Sequence, residues 1–569
     1  MTGTNYLLKF LSEKKCEILF DYPGNTILEL YGAIDNYDVK HVTVRHEQGA
    51  VHAAEGYARA SGKVGVCLAT SGPGATNLVT GLCDAMLDSV PLLAITGQVD
   101  RSSVGHDAFQ ESDMMGITIP ITKHNYLVKD PYALPTVLEE AWTIASTGRP
   151  GPVLVDIPRD VLAGEVADDF TESYRKAKSS LHIPHKRIYE NSLDKMKNRV
   201  KSLLCKSYRP VILCGGGVVS GGEAAIRSMR EFSSRCGIPI VYTLMGKSAC
   251  GASGIEEEKK PLILGMAGIH GTRDANLALA KADLVCAVGC RFSDRTVPHP
   301  ENFVDTKVLI HADIDAAELC KNIYSICPVV ADSAEFFRFL AGESFSEERI
   351  EMWEHWQTKL RNKKESEQAE IPEDFEDYVN IIKKDKNSFF GLCTKEIGKY
   401  SDKTVFVTDV GRHQLIAATE ITDVSPRGFI TSGGLGTMGF GLPAAIGTLC
   451  AVGRDKRVVL LTGDGSFQMC MQELATLREI CDDAETKGEE PDLKIFIYDN
   501  FALGLVEEWG KRLYGEGFSP KYEKFHLNFS KLASLYGFPS REFSSFKRFE
   551  SSLGEIMETK GTQIIVIKA

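Results

Sequence analysis

An α/β architecture of three doubly wound parallel sheets is the fold this sequence predicts, on three grounds. At 569 residues the chain is too long for one hydrophobic core, and about three domains of ordinary size accommodate it. Short apolar, β-branched runs alternate with segments of helical period, the pattern of βαβ units with buried strands. These runs end on glycine-rich or acidic turns, and the carboxyl ends of strands are where open α/β sheets bind ligands.

The first unit, residues 1–168, opens with a helical segment over 6–14, a strand at 18–20 and a turn, Tyr22-Pro23-Gly24-Asn25. A strand at 42–44 ends on Arg45-His46-Glu47, and residues 48–61 form a helix of small residues able to pack closely on a neighbour. The strand at 64–69 runs into a glycine-rich turn at 70–77 (TSGPGATN), and further strands lie at 92–96 and 153–157.

The second unit, 185–342, has a strand at 211–214 entering Gly215-Gly216-Gly217 and a strand at 238–244. It continues with 283–288 leading to Gly289-Cys290-Arg291 and 308–311 leading to Asp313. Three glycines after a strand suit a nucleotide-type ligand at a helix start. Residues 343–387 are charge-dense and read as one amphipathic helix, anchored by Trp353 and Trp356, plus a linker. The third unit is 388–569.

Bulk composition narrows the class. The chain is 43% hydrophobic and 25% charged, with net charge −12, values of a globular protein without a basic surface for nucleic acid. No apolar run approaches membrane-spanning length, and the charged N-terminus is expected not to be a signal peptide. The 15 cysteines include no CxxC pair and mostly sit in apolar runs, so buried thiols in a reducing cytoplasm are expected.

Within the third unit, the strand at 457–462 ends on Gly463-Asp464-Gly465-Ser466. Met471, Leu474, Ala475 and Ile480 then keep helical spacing, and a second strand at 493–498 closes on Asp499-Asn500. The glycines allow backbone N–H groups to approach a phosphate, and Asp464 is a hard-oxygen ligand for Mg²⁺. One βαβ unit thus places Asp464 and Asn500 at the ends of adjacent strands, where both can hold one metal. They stand 36 positions apart, and the surplus over 482–492 (DDAETKGEEPD) reads as a surface insertion.

Strand, GDG turn, helix, strand and Asn together resemble the thiamine-diphosphate (ThDP) enzymes. Longer stretches resemble one branch of them, the acetohydroxyacid (acetolactate) synthase catalytic subunits. They include VRHEQGAVHAAEGYARASGKVGVCLATSGPGATN at 44–77, GQVDRSSVGHDAFQE at 97–111, GCRFSDR at 289–295, DVGRHQ at 409–414 and SGGLGTMGFGLPAAIG at 432–447.

The resemblance implies three domains binding the cofactor's pyrimidine, FAD and the cofactor's diphosphate. Glu47 stands where the family keeps the carboxylate that protonates the pyrimidine, and such a group acts as a tuned acid/base. Gly436 and Met438 stand where the family bends the cofactor. Gly411, Arg412 and His413, with Gly463, Gly465 and Ser466, stand at its diphosphate contacts. Asp464, Asn500 and Ala502 form the implied Mg²⁺ set. Gln110 is implied beside the reacting oxygen, Phe109 and Lys123 at the entrance, and Trp509 as the wall of the acceptor site. For FAD, the implied residues are Gly215, Gly216 and Gly217, then His270, Arg291 and Arg295, with Asp313 and Asp332.

The implied reaction decarboxylates pyruvate and joins the hydroxyethyl unit to a second 2-oxo acid, giving 2-acetolactate or 2-aceto-2-hydroxybutyrate, as in branched-chain amino acid biosynthesis. A homodimer or tetramer with active sites at the interface is expected, with a small regulatory subunit as a possible partner. There are departures from the pattern. Arg412 replaces the family's Gln, Ser293 replaces an Asp, and Asp499-Asn500-Phe501-Ala502 and Leu505–Trp509 (LVEEW) differ from the usual acceptor loop. The chain also stops at QIIVIKA, where biosynthetic members continue into a covering tail. The altered acceptor loop and the short end together favour a roomier pocket, and with it an alternative in which the acceptor is another ketone such as a keto-sugar nucleotide. A flavin-reducing pyruvate oxidase fits less well because of the RFSDR-type centre, and a non-catalytic paralogue because Glu47, Gln110, Asp464 and Asn500 are all present.

Overall fold

A computed structural model describes residues 1–166, 185–251, 260–362, 386–486, 490–515, 517–518 and 526–568. Three six-stranded sheets, parallel throughout, form the frame. In the N-terminal domain these are β1 (Ile18–Tyr22), β2 (Lys40–Thr43), β3 (Gly65–Ala69), β4 (Leu92–Gln98), β5 (His124–Leu127) and β6 (Pro152–Pro158). Their spatial order is β2-β1-β3-β4-β6-β5.

The central domain contributes β7 (Pro210–Cys214), β8 (Ile240–Tyr242), β9 (Ile263–Met266), β10 (Leu284–Val288), β11 (Val308–Asp313) and β12 (Cys327–Val330), ordered β12-β11-β10-β7-β8-β9. The C-terminal domain has β13 (Thr404–Thr408), β14 (Phe429–Thr431), β15 (Arg457–Gly463), β16 (Leu493–Asp499), β17 (Ser540–Phe543) and β18 (Gln563–Lys568), ordered β14-β13-β15-β16-β18-β17.

Numbered within each sheet, the outer domains share one topology, 2-1-3-4-6-5. The central sheet is 3-2-1-4-5-6, the order of dinucleotide-binding folds. Where the order reverses beside the first strand of each sheet, the loops on either side splay apart and leave a crevice. In the C-terminal sheet the reversal falls between β13 and β15, so residues 409–412 and 463–466 flank it. In the central sheet it falls between β7 and β10, flanked by Gly215–Gly217 and Gly289–Arg291.

Local chemistry sets the elements. β4 (LLAITGQ) and β16 (LKIFIYD) are buried along their whole length, as mostly apolar strands inside a parallel sheet are. The helix Glu47–Ser61 is capped by the His46 ring, which accepts the Gln48 N–H, and ends on Gly62 at φ +77°. It packs on the helix Gly441–Val452 of the C-terminal domain. Gly56 and Gly447 let the two backbones touch, since a Cβ on Gly56 would lie 2.0 Å from the Ala444 carbonyl oxygen and one on Gly447 would lie 1.8 Å from that of Ala53.

One sequence expectation is corrected, and two segments are defined more closely. The strand expected at 238–244 is confined to β8, because Thr243 caps a 3₁₀ turn over Leu244–Ala249 by accepting the Gly246 N–H. The segment expected as a surface insertion begins as helix, since Glu473–Thr486 runs into it. At its far end Asp492 is buried against Lys494 at 2.8 Å; residues 487–489 lie outside the described part. Of the polar 343–387 stretch, Glu347–Arg361 is helical, and the buried Trp353 donates its indole N–H to Ser207 at 3.0 Å. The linker expected after it, 363–385, lies outside the described residues.

Candidate active site

The reversal point of the C-terminal sheet is built from glycine and buried acid. After β13, Asp409 accepts N–H groups from Gly439 (3.0 Å) and Gly441 (2.8 Å), tying the loop before the helix Gly441–Val452 to the crevice. Gly411 takes φ +147°, a conformation open to glycine, and starts the helix Arg412–Glu420. The His413 ring lies between the two loops: a Cβ on Gly411 would come within 3.0 Å of it and one on Gly463 within 3.2 Å. Burial pushes His413 down to about 4, so the ring is neutral near pH 7, and its buried Nε2 has no hydrogen-bond partner. The Ser466 hydroxyl donates to the Val410 carbonyl at 2.9 Å, joining the loops after β13 and β15.

Gly463 caps the short helix Asp464–Gln468. Asp464 accepts the Gly465 N–H at 2.8 Å through one oxygen, while its other oxygen is buried without a hydrogen-bond partner among the described residues. Burial, the largest cause, pushes Asp464 up to about 6. Asp499, at the end of the adjacent β16, has a second unpartnered buried oxygen, and its other oxygen meets His526 Nε2 at 3.0 Å. Ligand atoms of Asp464, Asp499 and His526 all lie within 4.8 Å of one another. Two buried carboxylates with oxygens to spare suit a divalent cation, which would offset the charge that burial makes costly. Asp464 and Asn500 follow adjacent paired strands, while Ala502, buried, offers a metal only its backbone carbonyl.

Phe501, between Asn500 and Ala502, holds φ +57° and packs on His526 with ring centres 3.8 Å apart and planes tilted by 35°. Asp499 and His526 were not singled out as ligands in the sequence. Asp499 is visible there only as a departure from the family's Asn, and His526 belongs to no motif.

Arg412 stands at the start of the helix Arg412–Glu420, and its guanidinium reaches Glu508 at 3.5 Å. The two residues line a cleft shared with His270, Lys386, Trp509 and Arg512. Trp509 is half-buried, with the Arg512 guanidinium 5.6 Å from its ring centre. Gly436 takes φ +76° on an exposed turn, and Met438 beside it is half-buried.

In the N-terminal domain, Glu47 is buried in the first turn of its helix and accepts a hydrogen bond from Asn77 Nδ2 at 2.9 Å. Asn77 belongs to the turn after β3, and a Cβ on Gly74 in that turn would lie 3.3 Å from Glu47 Oε1. The backbone of Gln110, at φ +61°, packs on Gly72, so Glu47, the glycine turn and Gln110 are neighbours. Phe109 projects into solvent, 88% exposed. Lys123 does not present itself as an entrance group. Its ammonium donates to the Thr147 carbonyl at 2.8 Å and to that of Ile144, capping the end of the helix Leu134–Ser146. Burial pushes it down to about 8.

The central-domain residues divide. Gly215 and Gly217 pack against Gly289 across the β7/β10 reversal, where a Cβ on Gly215 would lie 1.9 Å from the Gly289 carbonyl oxygen. That close approach requires both glycines before any ligand is considered, whereas Gly216 faces Met245. Arg291 follows β10 and Asp313 ends β11, so both lie beside this crevice. Asp313 accepts the Asp315 N–H at 2.9 Å, and burial pushes it up to about 6. Asp332 caps the helix Ser333–Gly342, accepting the Ala334 and Glu335 N–H groups. Arg295 is exposed; its carbonyl accepts the Ile269 N–H at 3.0 Å. His270 faces the Arg412–Trp509 cleft instead.

Comparison with known proteins bears on all three domains. Residues 1–117 match the family description "Thiamine pyrophosphate enzyme, N-terminal TPP binding domain", residues 198–340 its central domain and residues 409–567 its C-terminal TPP binding domain. The acetolactate synthase large subunit of Lactococcus lactis subsp. lactis is 40% identical, covering 100% of this chain and 92% of its own length. A probable acetolactate synthase large subunit of Methanocaldococcus jannaschii is 40% identical over 98% of this chain and 90% of its own. The acetolactate synthase isozyme 2 large subunit of Escherichia coli is 37% identical over 99% and 95%.

Proposed function

The chain belongs to the acetolactate synthase large-subunit family of thiamine-diphosphate enzymes, and from that premise we propose how its residues divide the work. The reaction is pyruvate carboligation: pyruvate loses CO₂, and the two-carbon unit joins a second 2-oxo acid to give 2-acetolactate or 2-aceto-2-hydroxybutyrate. The observation that carries this reading is the likeness to acetolactate synthase large subunits along the whole chain. A ketone acceptor other than a 2-oxo acid is not favoured by these relatives.

Thiamine diphosphate, when bound, supplies the electron sink that makes decarboxylation possible. Glu47 would hold a proton at the pyrimidine nitrogen, with Asn77 keeping its carboxylate in place. Asp464, Asn500 and the Ala502 carbonyl would hold Mg²⁺ against the diphosphate, on support from the unpartnered buried oxygen of Asp464. Backbone N–H groups around Gly411, Gly463, Gly465 and Ser466, with Arg412 and neutral His413, would surround the diphosphate itself. Gln110 would orient the substrate oxygen and Trp509 would bound the acceptor.

FAD is proposed for the central crevice on support from its 3-2-1-4-5-6 strand order, with Gly215–Gly217, Arg291 and Asp313 at the reversal. It takes no part in the proton transfers above. A homodimer or tetramer is proposed, in which Glu47 of one copy serves the C-terminal domain of another. A small regulatory subunit and a cytoplasmic location complete the proposal. Among the described residues no helix is long and apolar enough to cross a membrane.

The test uses purified protein with ThDP, Mg²⁺, FAD and pyruvate, following pyruvate loss and acetoin formed on acidification. Acetolactate formation supports the reading. Pyruvate loss without acetolactate overturns the acceptor assignment, and the absorbance of the purified protein tests for flavin.

A further inference from the structure

We propose that Asp84 and Asp88 of the N-terminal domain are positioning residues for the loop 433–438 of the C-terminal domain, acting through Ser432. The proposal rests on the reading above that Gly436 and Met438 of this loop face the cofactor. Both carboxylates lie on the helix Val79–Asp88, four residues apart and so on one face of it.

The Ser432 hydroxyl donates to Asp84 Oδ1 at 2.6 Å. The same hydroxyl oxygen accepts the backbone N–H groups of Gly436 (3.1 Å) and Thr437 (2.9 Å). With its proton directed to an acceptor, the serine keeps both lone pairs for the loop. Asp88 Oδ2 accepts the Gly433 N–H at 2.9 Å and a guanidinium N–H of Arg59 at 2.5 Å. Arg59 in turn donates to the Thr431 carbonyl at 2.5 Å.

The other domain therefore holds this segment directly at Thr431, Ser432 and Gly433, and through the Ser432 hydroxyl at Gly436 and Thr437. At Gly434 it lies directly on the helix: a Cβ there would come 2.8 Å from Asp88 Oδ1 and 2.8 Å from Leu87 Cβ. Its far end is anchored within its own domain, where Asp409 accepts the Gly439 and Gly441 N–H groups. Asp84 and Ser432 are both buried, so water does not replace a lost bond cheaply. The N-terminal domain thus sets where Gly436 and Met438 of its own chain stand, while its Glu47 is proposed to serve another copy.

The test compares Ser432→Ala, Asp84→Ala, the double variant and Asp84→Asn, which keeps an acceptor for the serine. ThDP affinity is read by titration of tryptophan fluorescence with Mg²⁺ present, alongside kcat and the KM for ThDP and for pyruvate. The expected result is that each alanine variant weakens ThDP binding about tenfold, the double variant no further than either single one. Asp84→Asn is expected within about threefold of the starting protein, and pyruvate KM at saturating ThDP is expected unchanged in all four.

Ser432→Ala removes a single oxygen, so it decides the matter even if Asp84→Ala does not fold. ThDP binding unchanged in Ser432→Ala, or additive losses in the double variant, overturns the proposal. So does a lowered unfolding midpoint with unaltered ThDP affinity. Parent protein that binds ThDP but forms no acetolactate would overturn the functional reading while leaving the ThDP titrations to decide this one.

Discussion

Glu47 is a residue whose place explains its proposed task. A carboxylate in the first turn of a buried helix, facing a glycine turn and held by Asn77, can carry a proton without wandering. Glu47→Ala is expected to lower turnover by at least about 100-fold, the scale of general acid–base catalysis, with an unchanged far-ultraviolet spectrum. Retained activity would remove the residue from the mechanism. Lys123 makes the opposite case. Its ammonium caps a helix end, so Lys123→Ala is expected to lower stability by about 1–3 kcal/mol and leave pyruvate KM unchanged. A raised KM with unchanged stability would return Lys123 to the entrance. Sequence resemblance identified both residues. Only coordinates distinguish them, because side-chain direction depends on what packs around each backbone.

At the scale of elements, the crossing of Glu47–Ser61 over Gly441–Val452 joins the two outer domains by backbone contact. Alanine normally strengthens a helix interior by roughly 0.5–1 kcal/mol relative to glycine. Here Gly56→Ala or Gly447→Ala is expected to cost about 1–3 kcal/mol by overpacking. The urea midpoint measures it, and a rise would refute the close contact. The sequence made the helix legible through its run of small residues, and even suggested close packing, but it did not name the partner. Likewise the βαβ unit around Asp464 was legible in the strand–GDG–helix–strand pattern. His526 was not, because it comes to Asp464 from beyond β16 through tertiary folding, with no motif marking it.

For the whole molecule, the boundary between the N- and C-terminal domains concentrates buried charge. Glu55, Asp84 and Asp88 face one Arg59, with His52 3.0 Å from Glu55. Burial, reinforced by the neighbouring Glu55 and Asp88, pushes Asp84 up to about 8. An unfolded aspartate ionises near pH ~4. Between those values the folded chain keeps a proton that the unfolded chain has released, so stability falls as pH rises from about 4 to about 8. Asp84→Asn removes that dependence. Urea midpoints at pH 5.5 and 7.5 are expected to differ less in the variant than in its parent, and an equal difference would place the proton elsewhere. Diluting the protein should also lower activity per chain, if one copy's Glu47 serves another's C-terminal domain.

The sequence by itself determined the three α/β units, the glycine turns at their strand ends, the acid at the GDG turn and, through resemblance, the family. These are local signals: hydrophobic period, turn chemistry and short motifs survive in one dimension. Tertiary structure decided the rest. It brought Asp499 and His526 to Asp464, directed Lys123 to a helix end, and laid Asp84 and Asp88 against a loop some 345 residues away. Such contacts depend on which faces two separately folded domains present to each other, and no periodicity along the chain encodes that choice.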